Sequence, residues 1–320
     1  SSLSYTDAFF ESVSGITTTG ATVIFDLENL TEGILIWRSL LQWFGGIGII
    51  VLAMAILPTL QIGGMQLLHM EHDDPYEKTI PKVNRFVLEL FTLYIFLSII
   101  CSLLYFINGM SVYDSVLHAM TTISTGGFSN YDKSLAYFNS FQIEIVSIIF
   151  MVIGSLPFVL YLQFIHKNKY SLIKDDQIKL FFIILIVIVC LTTFWLYTNQ
   201  SYEILTSFRI ALFNITSILT GPGYTSSNFS NWGSFGTVIM MIIMFIGGCA
   251  GSTTCGIKVF RVHMLYFFLK NQLLKIIYPR AIINLKYNND IVQDKLIASI
   301  ISFIYLYIII FFVISALLTL

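Results

Sequence analysis

The chain has 320 residues, of which 56% are hydrophobic and 11% charged, with a formal net charge of −1. Ordinary soluble domains carry about 25% charged residues, so this composition excludes one and points to an integral membrane protein of helical type. The four cysteines fall in or beside apolar segments at spacings that match no metal motif, which leaves them as packing residues.

In chain order, Tyr5 to Ile16 reads as an apolar half-helix too short to cross a bilayer, followed by Thr17-Thr18-Thr19-Gly20-Ala21-Thr22. Asp26, Glu28 and Glu32 lie in the loop that comes next. Gly33 to Leu57 is a first full span, closed by Pro58, with Arg38 near its outer end, where a long side chain can snorkel to the interface. Thr59 to Arg85 is polar and contains the patch His69 to Asp74, whose spacing fits a solvated turn rather than a metal site. Phe86 to Ile107 is a second span and Ser111 to Ile123 a second half-helix, followed by Ser124-Thr125-Gly126-Gly127-Phe128-Ser129. Phe141 to Ile165 is a third span with a kink at Gly154 to Pro157, and His166 to Lys179 a short basic loop. Leu180 to Tyr197 is a fourth span. Glu203 to Leu219 is a third half-helix, leading into Thr220-Gly221-Pro222-Gly223-Tyr224-Thr225. Phe235 to Ile246 begins a fifth span, broken by the small residues of Gly247 to Gly256, and Leu296 to Leu320 is a sixth.

Placing Gly20, Gly127 and Gly223 in one column aligns the three loops without a gap, at separations of 107 and 96 residues. One unit is therefore used several times. The order is span, half-helix, loop, span. It divides the chain into a partial first unit (1–58), a second (86–166), a third with a broken inner helix (180–270) and the opening span of a fourth (296–320). Because the chain opens directly on a half-helix, the sequence is expected to be a fragment missing material at both ends.

Non-helical backbone at membrane depth is tolerated only when buried in protein or lining a water-filled path. Glycine permits backbone angles that turn consecutive carbonyls toward one axis, and such carbonyls can replace the hydration shell of a cation. The expected potassium-binding filter is Thr17, Thr18, Thr19 and Gly20 with Ser124, Thr125, Gly126 and Gly127 and with Thr220, Gly221, Pro222 and Gly223. The expected gate is the break at Gly247, Gly248, Gly251, Ser252 and Gly256, a discontinuous helix that obstructs the path and moves to open it. Packing of small residues through the Gly247/Gly251 pair is the competing reading. A phosphate loop does not fit, because Ile257 displaces the lysine. Glu11, His118 and Asn214 share a column of the repeat, which marks it as a positioning column; Glu11 and Arg209 are expected to form structural pairs.

All basic residues except Arg38, Lys133 and Arg209, 14 of the 17, fall in the loops after spans one, three and five. The positive-inside rule makes those loops cytoplasmic and opens the filters to the outside. Asp26, Glu28, Glu32, Asp114, Asp132 and Glu203 then surround the outer mouth, where negative charge concentrates cations.

The three filter stretches, together with Gln42-Trp43-Phe44-Gly45-Gly46-Ile47-Gly48 and the run from Gly247 to Lys258, resemble the TrkH-type potassium uptake proteins of the Trk/Ktr/HKT superfamily, over essentially the whole chain. The resemblance implies an all-α membrane protein with four pseudo-repeated units around a central pore. It also implies a homodimer with one pore per subunit, a cytoplasmic TrkA-type nucleotide-binding regulatory subunit, and a place in the bacterial cytoplasmic (inner) membrane. Gly20, Gly127 and Gly223 match the family's filter glycines, and a glycine at the first of these is associated there with potassium permeation over strict sodium selectivity. The sequence departs from the family in having no fourth filter and no basic residue in a last inner helix. The expected function is potassium uptake, with potassium as the transported ion, no organic cofactor and no nucleic-acid partner. A symporter coupling potassium entry to protons or sodium is the alternative. Its usual inverted repeats differ from the parallel repeats here. No nucleophile–base pair in the spans supports an enzyme.

Overall fold

A computed structural model describes residues 3–55, 81–166, 171–200, 202–227, 229–278, 280, 286–287, 290–292 and 294–319. The chain is almost wholly helical. Its elements are α1 (Tyr5–Ile16), α2 (Glu32–Ala55), α3 (Pro81–Ile107), α4 (Val112–Ile123), α5 (Phe141–Ser155), α6 (Phe158–His166), α7 (Ser171–Lys174), α8 (Asp176–Asn199), α9 (Ile204–Thr220), α10 (Gly233–Phe245), α11 (Val259–Ile277) and α12 (Asp294–Leu318). A two-residue antiparallel ladder, β1 (Lys286–Tyr287) with β2 (Asp290–Ile291), joins the last two helices. The patch His69 to Asp74 lies outside the described residues.

Among the described residues, four helical stretches are long and apolar enough to cross a bilayer: Glu32–Val51, Arg85–Ile107, Asp176–Asn199 and Lys295–Leu318. Large apolar side chains such as Leu88, Phe96, Ile186 and Phe194 are exposed along them. In water such a surface would aggregate, whereas lipid chains solvate it.

The half-helices are short because their ends are capped by design of the sequence. Ser4 and Ser111 each accept a hydrogen bond from the amide three residues on, Asp7 and Asp114, and donate back to the carboxylate of the same residue. These reciprocal caps satisfy an orphan amide at each helix start. The third half-helix, α9, has Glu203 at its N-cap without a side-chain cap bond and is 17 residues long against 12 for α1 and α4.

Packing repeats along the chain. The inner helix of one stretch touches the half-helix of the next: α2 packs on α4, and α5 on α9. One core, around Tyr94, Tyr105, Phe158, Phe213 and Tyr224, fills the space among α2 to α6 and reaches α9. A second lies among α8, α9 and α10, and a third joins α11, α12 and the ladder.

Three expectations change. The third span is not a kinked helix: α5 and α6 meet at 88° across Ser155 to Pro157. Proline lacks the amide that would continue the helix, and its ring excludes the helical carbonyl before it. The loop expected over His166 to Lys179 contains α7 and the start of α8. Arg38 does not snorkel; it is 3% exposed and faces the half-helix α1.

Close helix approach leaves no room for a side chain at Gly45. A Cβ at Gly45 would lie 2.0 Å from the backbone carbonyl oxygen of Ile16, whereas one at Gly48 would meet nothing within 4 Å. Gly45→Ala should therefore lower the stability of the detergent-solubilised intact protein by about 1–3 kcal/mol through overpacking. Gly48→Ala should be neutral or stabilising by up to about 1 kcal/mol. Thermal unfolding midpoints of the two variants check the contrast.

Candidate functional site: three capped loops and a folded loop beneath them

Each half-helix ends in the same way. Thr18, Thr125 and Gly221, two positions before the column glycine, have φ of 54°, 52° and 100°. Their amides bond back three residues, to Gly15, Thr122 and Ile218. The next residue bonds back five in the first two loops, Thr19 to Ser14 and Gly126 to Thr121, at 2.9 Å each. This pair of bonds around a left-handed residue is the Schellman ending of a helix. In the third loop Pro222 has no amide, and Gly223 takes its place, bonding to Ser217 at 3.1 Å. Gly20, Gly127 and Gly223 then follow at φ of 78°, 83° and 72°. A left-handed threonine costs about 1–2 kcal/mol, so the same turn held at Thr18 and Thr125 is stabilised by its surroundings.

The loops interlock in one direction. A Cβ on Gly20 would lie 2.2 Å from the carbonyl oxygen of Gly126, and one on Gly127 would lie 1.6 Å from that of Pro222. Each column glycine thus sits against the carbonyl that precedes the next column glycine. A Cβ on Gly223 would meet nothing within 4 Å, so the third loop presents the same face open. The C-termini of α1, α4 and α9 all lead into these loops, which places the negative ends of three helix dipoles beside them.

Side chains hold the loops from behind. Gln42 of α2, fully buried, donates from Nε2 to the Gly126 carbonyl at 2.8 Å and accepts from the Phe128 amide at 3.0 Å. One turn away, the Arg38 Nε donates to Glu11 at 2.8 Å, and its other nitrogens reach the Ser129 carbonyl and the Thr22 hydroxyl. The guanidinium also covers the Phe128 ring, 4.1 Å from its centroid. Glu11 in turn accepts from the Thr22 hydroxyl and the Val23 amide. His118 pairs with the Ser129 hydroxyl at 3.0 Å, and Asn214 with Ser226 through both its amide and its hydroxyl. The column of Glu11, His118 and Asn214 therefore ties each half-helix to its own returning strand. Arg209, as a structural pair, reaches Glu144 of α5 at 2.7 Å. Tyr224 fixes the third loop against α4, its hydroxyl 2.6 Å from that of Thr121.

The loops also hold each other through the segments that follow them. Asp132 accepts from the amides of Asp26 and Leu27, and Ala136 donates to the Thr225 carbonyl. Asp114 is buried and accepts from Ser111, Asn130 and Tyr131. Burial and this carboxylate hold the Tyr131 phenol well above its ordinary pKa, so it remains a donor. Asp114 and Asp132 thus bond the loops together as well as carrying charge.

The segment Gly247 to Gly256 folds into a compact body rather than a strand or helix. Its ends close on each other through Gly247 to Ile257 and Ile257 to Phe245 backbone bonds. Gly247 allows this closure, since a Cβ there would lie 1.8 Å from the Cys255 carbonyl oxygen. Gly251 and Gly256 turn the chain at φ of 77° and 81°. Gly248 donates to the Thr254 hydroxyl, and Ser252 to the Cys249 carbonyl. The carbonyls released at the right-angle bend bind this body: Gly154 accepts from Thr253, and Ser155 from the Cys249 amide at 2.9 Å. Phe158 donates to the Gly251 carbonyl, and Gln177 of α8 accepts from Ala250.

This body touches the first two loops where they leave their helices. The Thr125 hydroxyl donates to Thr253 at 3.1 Å, and Thr253 reaches the Ile123 carbonyl at 3.2 Å. The Cys255 thiol lies 3.7 Å from the Thr18 hydroxyl and 3.9 Å from the Thr17 carbonyl. The Thr17 and Thr220 hydroxyls donate back into their own helices, to Val13 and Thr216. Ser124 is fully buried and donates to the Thr121 carbonyl, while Thr19 is exposed. The sequence marked Gln42 and Lys258 only as members of longer runs and the bend only as a kink; in the fold Gln42 holds the second loop, and the Lys258 ammonium donates to the Ser252 and Thr254 hydroxyls. Glutamine four residues after arginine in an apolar span, and proline after a Gly-Ser-Leu run, were the signals.

Apolar helices long enough to span a bilayer, with three shorter helices ending in capped, interlocked loops, define a helical membrane protein. The chain belongs to the TrkH family: the model described as TrkH, cation transport protein, matches residues 1–320. It is 38% identical over 302 residues to the Trk system potassium uptake protein TrkI of Halomonas elongata, covering 94% of this chain and 61% of that protein. It is 37% identical to TrkH of Vibrio parahaemolyticus and 35% identical to TrkH of Escherichia coli K12, covering 97% of this chain and 65% of each relative. The crystal structure of the potassium transporter TrkH from Vibrio parahaemolyticus superposes with a TM-score of 0.89 at 35% identity, covering 97% of this chain and 64% of that one. The chain spans just under two thirds of the length of these relatives.

The Arg38–Glu11 pair is buried on both sides, with side chains 4% and 6% exposed. Removing one partner strands a charge and costs about 3–5 kcal/mol. Glu11→Gln and Arg38→Gln should each lower the thermal midpoint of the intact protein sharply, and the double variant by much less than their sum. A double-mutant cycle on unfolding checks this.

Proposed function

We propose that this chain forms the filter and gate of a potassium uptake protein in the bacterial cytoplasmic membrane. Thr17 to Gly20, Ser124 to Gly127 and Thr220 to Gly223 contribute backbone carbonyls to a potassium path. The segment with Gly247, Gly248, Gly251, Ser252 and Gly256 closes that path at its inner end. The observation that carries the reading is the one-way interlock of the column glycines with neighbouring carbonyls. Loops stacked in this sense surround an axis, and carbonyl oxygens around an axis can replace a cation's hydration shell. The dipoles of three half-helix C-termini favour positive charge at the same place. The open face of Gly223 is the position for a fourth loop, in keeping with four units of which 1–58, 86–166, 180–270 and 296–320 supply parts.

The relatives are named as members of a Trk system. That naming supports work with a partner, and the family resemblance makes the proposed assembly a homodimer under a cytoplasmic TrkA-type nucleotide-binding subunit. The filters open to the outside, consistent with the basic loops on the opposite side.

The test is rubidium uptake by the intact protein in cells lacking their own potassium uptake. Wild type should take up rubidium in preference to sodium. Gly127→Ser places a Cβ against the Pro222 carbonyl and strains a positive φ, so uptake should fall by about tenfold or lose its selectivity. Uptake indifferent to Gly127 at equal membrane level overturns the filter assignment. Deleting 248–253 should raise flux, and unchanged flux at normal expression overturns the gate.

A further inference from the structure

The two peptide groups that flank Gly127 are both bonded to one side chain. The Gly126 carbonyl belongs to the peptide before the glycine and accepts from the Gln42 Nε2 at 2.8 Å. The Phe128 amide belongs to the peptide after it and donates to the Gln42 Oε1 at 3.0 Å. A carboxamide is the neutral side-chain group that offers a donor and an acceptor side by side. The fit is tight: Gln42 is fully buried, and a Cβ on Gly126 would lie 2.4 Å from its Cδ and Oε1. The Gly126 and Gly127 amides return to the Thr121 carbonyl, so the half-helix α4 ties the same stretch from its other side.

These bonds fix a direction. In a planar trans peptide the carbonyl and the amide point opposite ways. Holding the Phe128 amide toward α2 therefore turns the Gly127 carbonyl away from α2, into the space that the three loops surround. Gly127 is where this peptide would rotate most easily, because its φ of 83° belongs to a residue with no Cβ to restrict it. Without Gln42 the buried Phe128 amide loses its partner, which favours that rotation. Among the described residues no side chain spans Gly20 or Gly223 in this way: Ser14 reaches the Ala21 carbonyl, and Glu11 the Val23 amide.

We propose that Gln42 is a selectivity-determining positioning residue: by clamping both peptides that flank Gly127, it aims the Gly127 carbonyl at the cation path and holds it there. Carbonyls set at the spacing of a potassium hydration shell favour potassium over a smaller ion only while they cannot move inward. Gln42 does not touch the ion itself. The proposal rests on the pore reading of the three loops.

The experiment uses the intact protein with Gln42→Met, which removes both bonds at similar length, and Gln42→Asn, whose carboxamide is one methylene too short to make them. Rubidium and sodium uptake at equal membrane level, in cells lacking their own potassium uptake, give KM and maximal rate for each ion. The purified proteins give thermal midpoints in rubidium and in sodium, where the better-bound ion stabilises more. Both variants should lower the rubidium-over-sodium ratio of maximal rate to KM by about tenfold, the order of two lost hydrogen bonds. The midpoint difference between the two ions should shrink with it. A purely structural role lowers rates and midpoints for both ions alike and leaves the ratio unchanged. That result, loss of all uptake in both variants, or failure of both to reach the membrane overturns the proposal while the pore reading stands. If wild type itself shows no preference for rubidium, the pore reading fails first, and the role of Gln42 with it.

Discussion

Inside a bilayer a backbone amide or carbonyl that leaves a helix has no water to bond, and leaving it bare costs several kcal/mol. Three loops and one folded segment leave helices here, and the arrangement around them answers that constraint. The Schellman endings return the first amides of each loop to their own half-helix. Gln42 supplies both a donor and an acceptor to the second loop. Glu11 binds the Val23 amide, and Arg38 binds the Ser129 carbonyl. The bend at Gly154 to Pro157 offers its carbonyls to the folded segment rather than to solvent.

Two kinds of glycine serve this scheme for different reasons. Gly20, Gly127 and Gly223 adopt positive φ and, in the first two loops, lie against a neighbour's carbonyl. Gly45, Gly46 and Gly126 have no such backbone demand. They are small because Ile16, Tyr94 with Ser124, and the Gln42 side chain occupy the space a Cβ would need. The first kind shapes the loops, and the second lets α2 approach closely enough for Arg38 and Gln42 to reach them.

The folded segment is held at both ends of its role. Thr253 and Cys255 face the filter loops, while Ala250 bonds to Gln177 of α8 and Lys258 opens α11. Asp175 caps α8 beside Gln177, and the Tyr287 hydroxyl of the short ladder reaches Asp175 at 3.4 Å. A line of contacts thus runs from the ladder through Asp175 and Gln177 to the segment.

The sequence by itself determined the membrane class, the half-helices and the repeat. Hydropathy, helix length and gap-free spacing are local quantities. They placed α1 at Tyr5–Ile16 and put the ends of α4 and α9 within a residue of their observed positions. The shared column of Glu11, His118 and Asn214 was also legible, because a repeat exposes equivalent positions. Only the tertiary structure decided what Arg38, Gln42, Asp132 and Lys258 do. A polar residue in an apolar run marks a need for a partner but does not name it, and their partners come from other loops or from a fold of the chain back on itself. The same holds for the right-angle bend. Pro157 announces a break in the helix, but its angle is fixed by Gly154 and Ser155 bonding to Thr253 and Cys249, about 100 residues further along the chain.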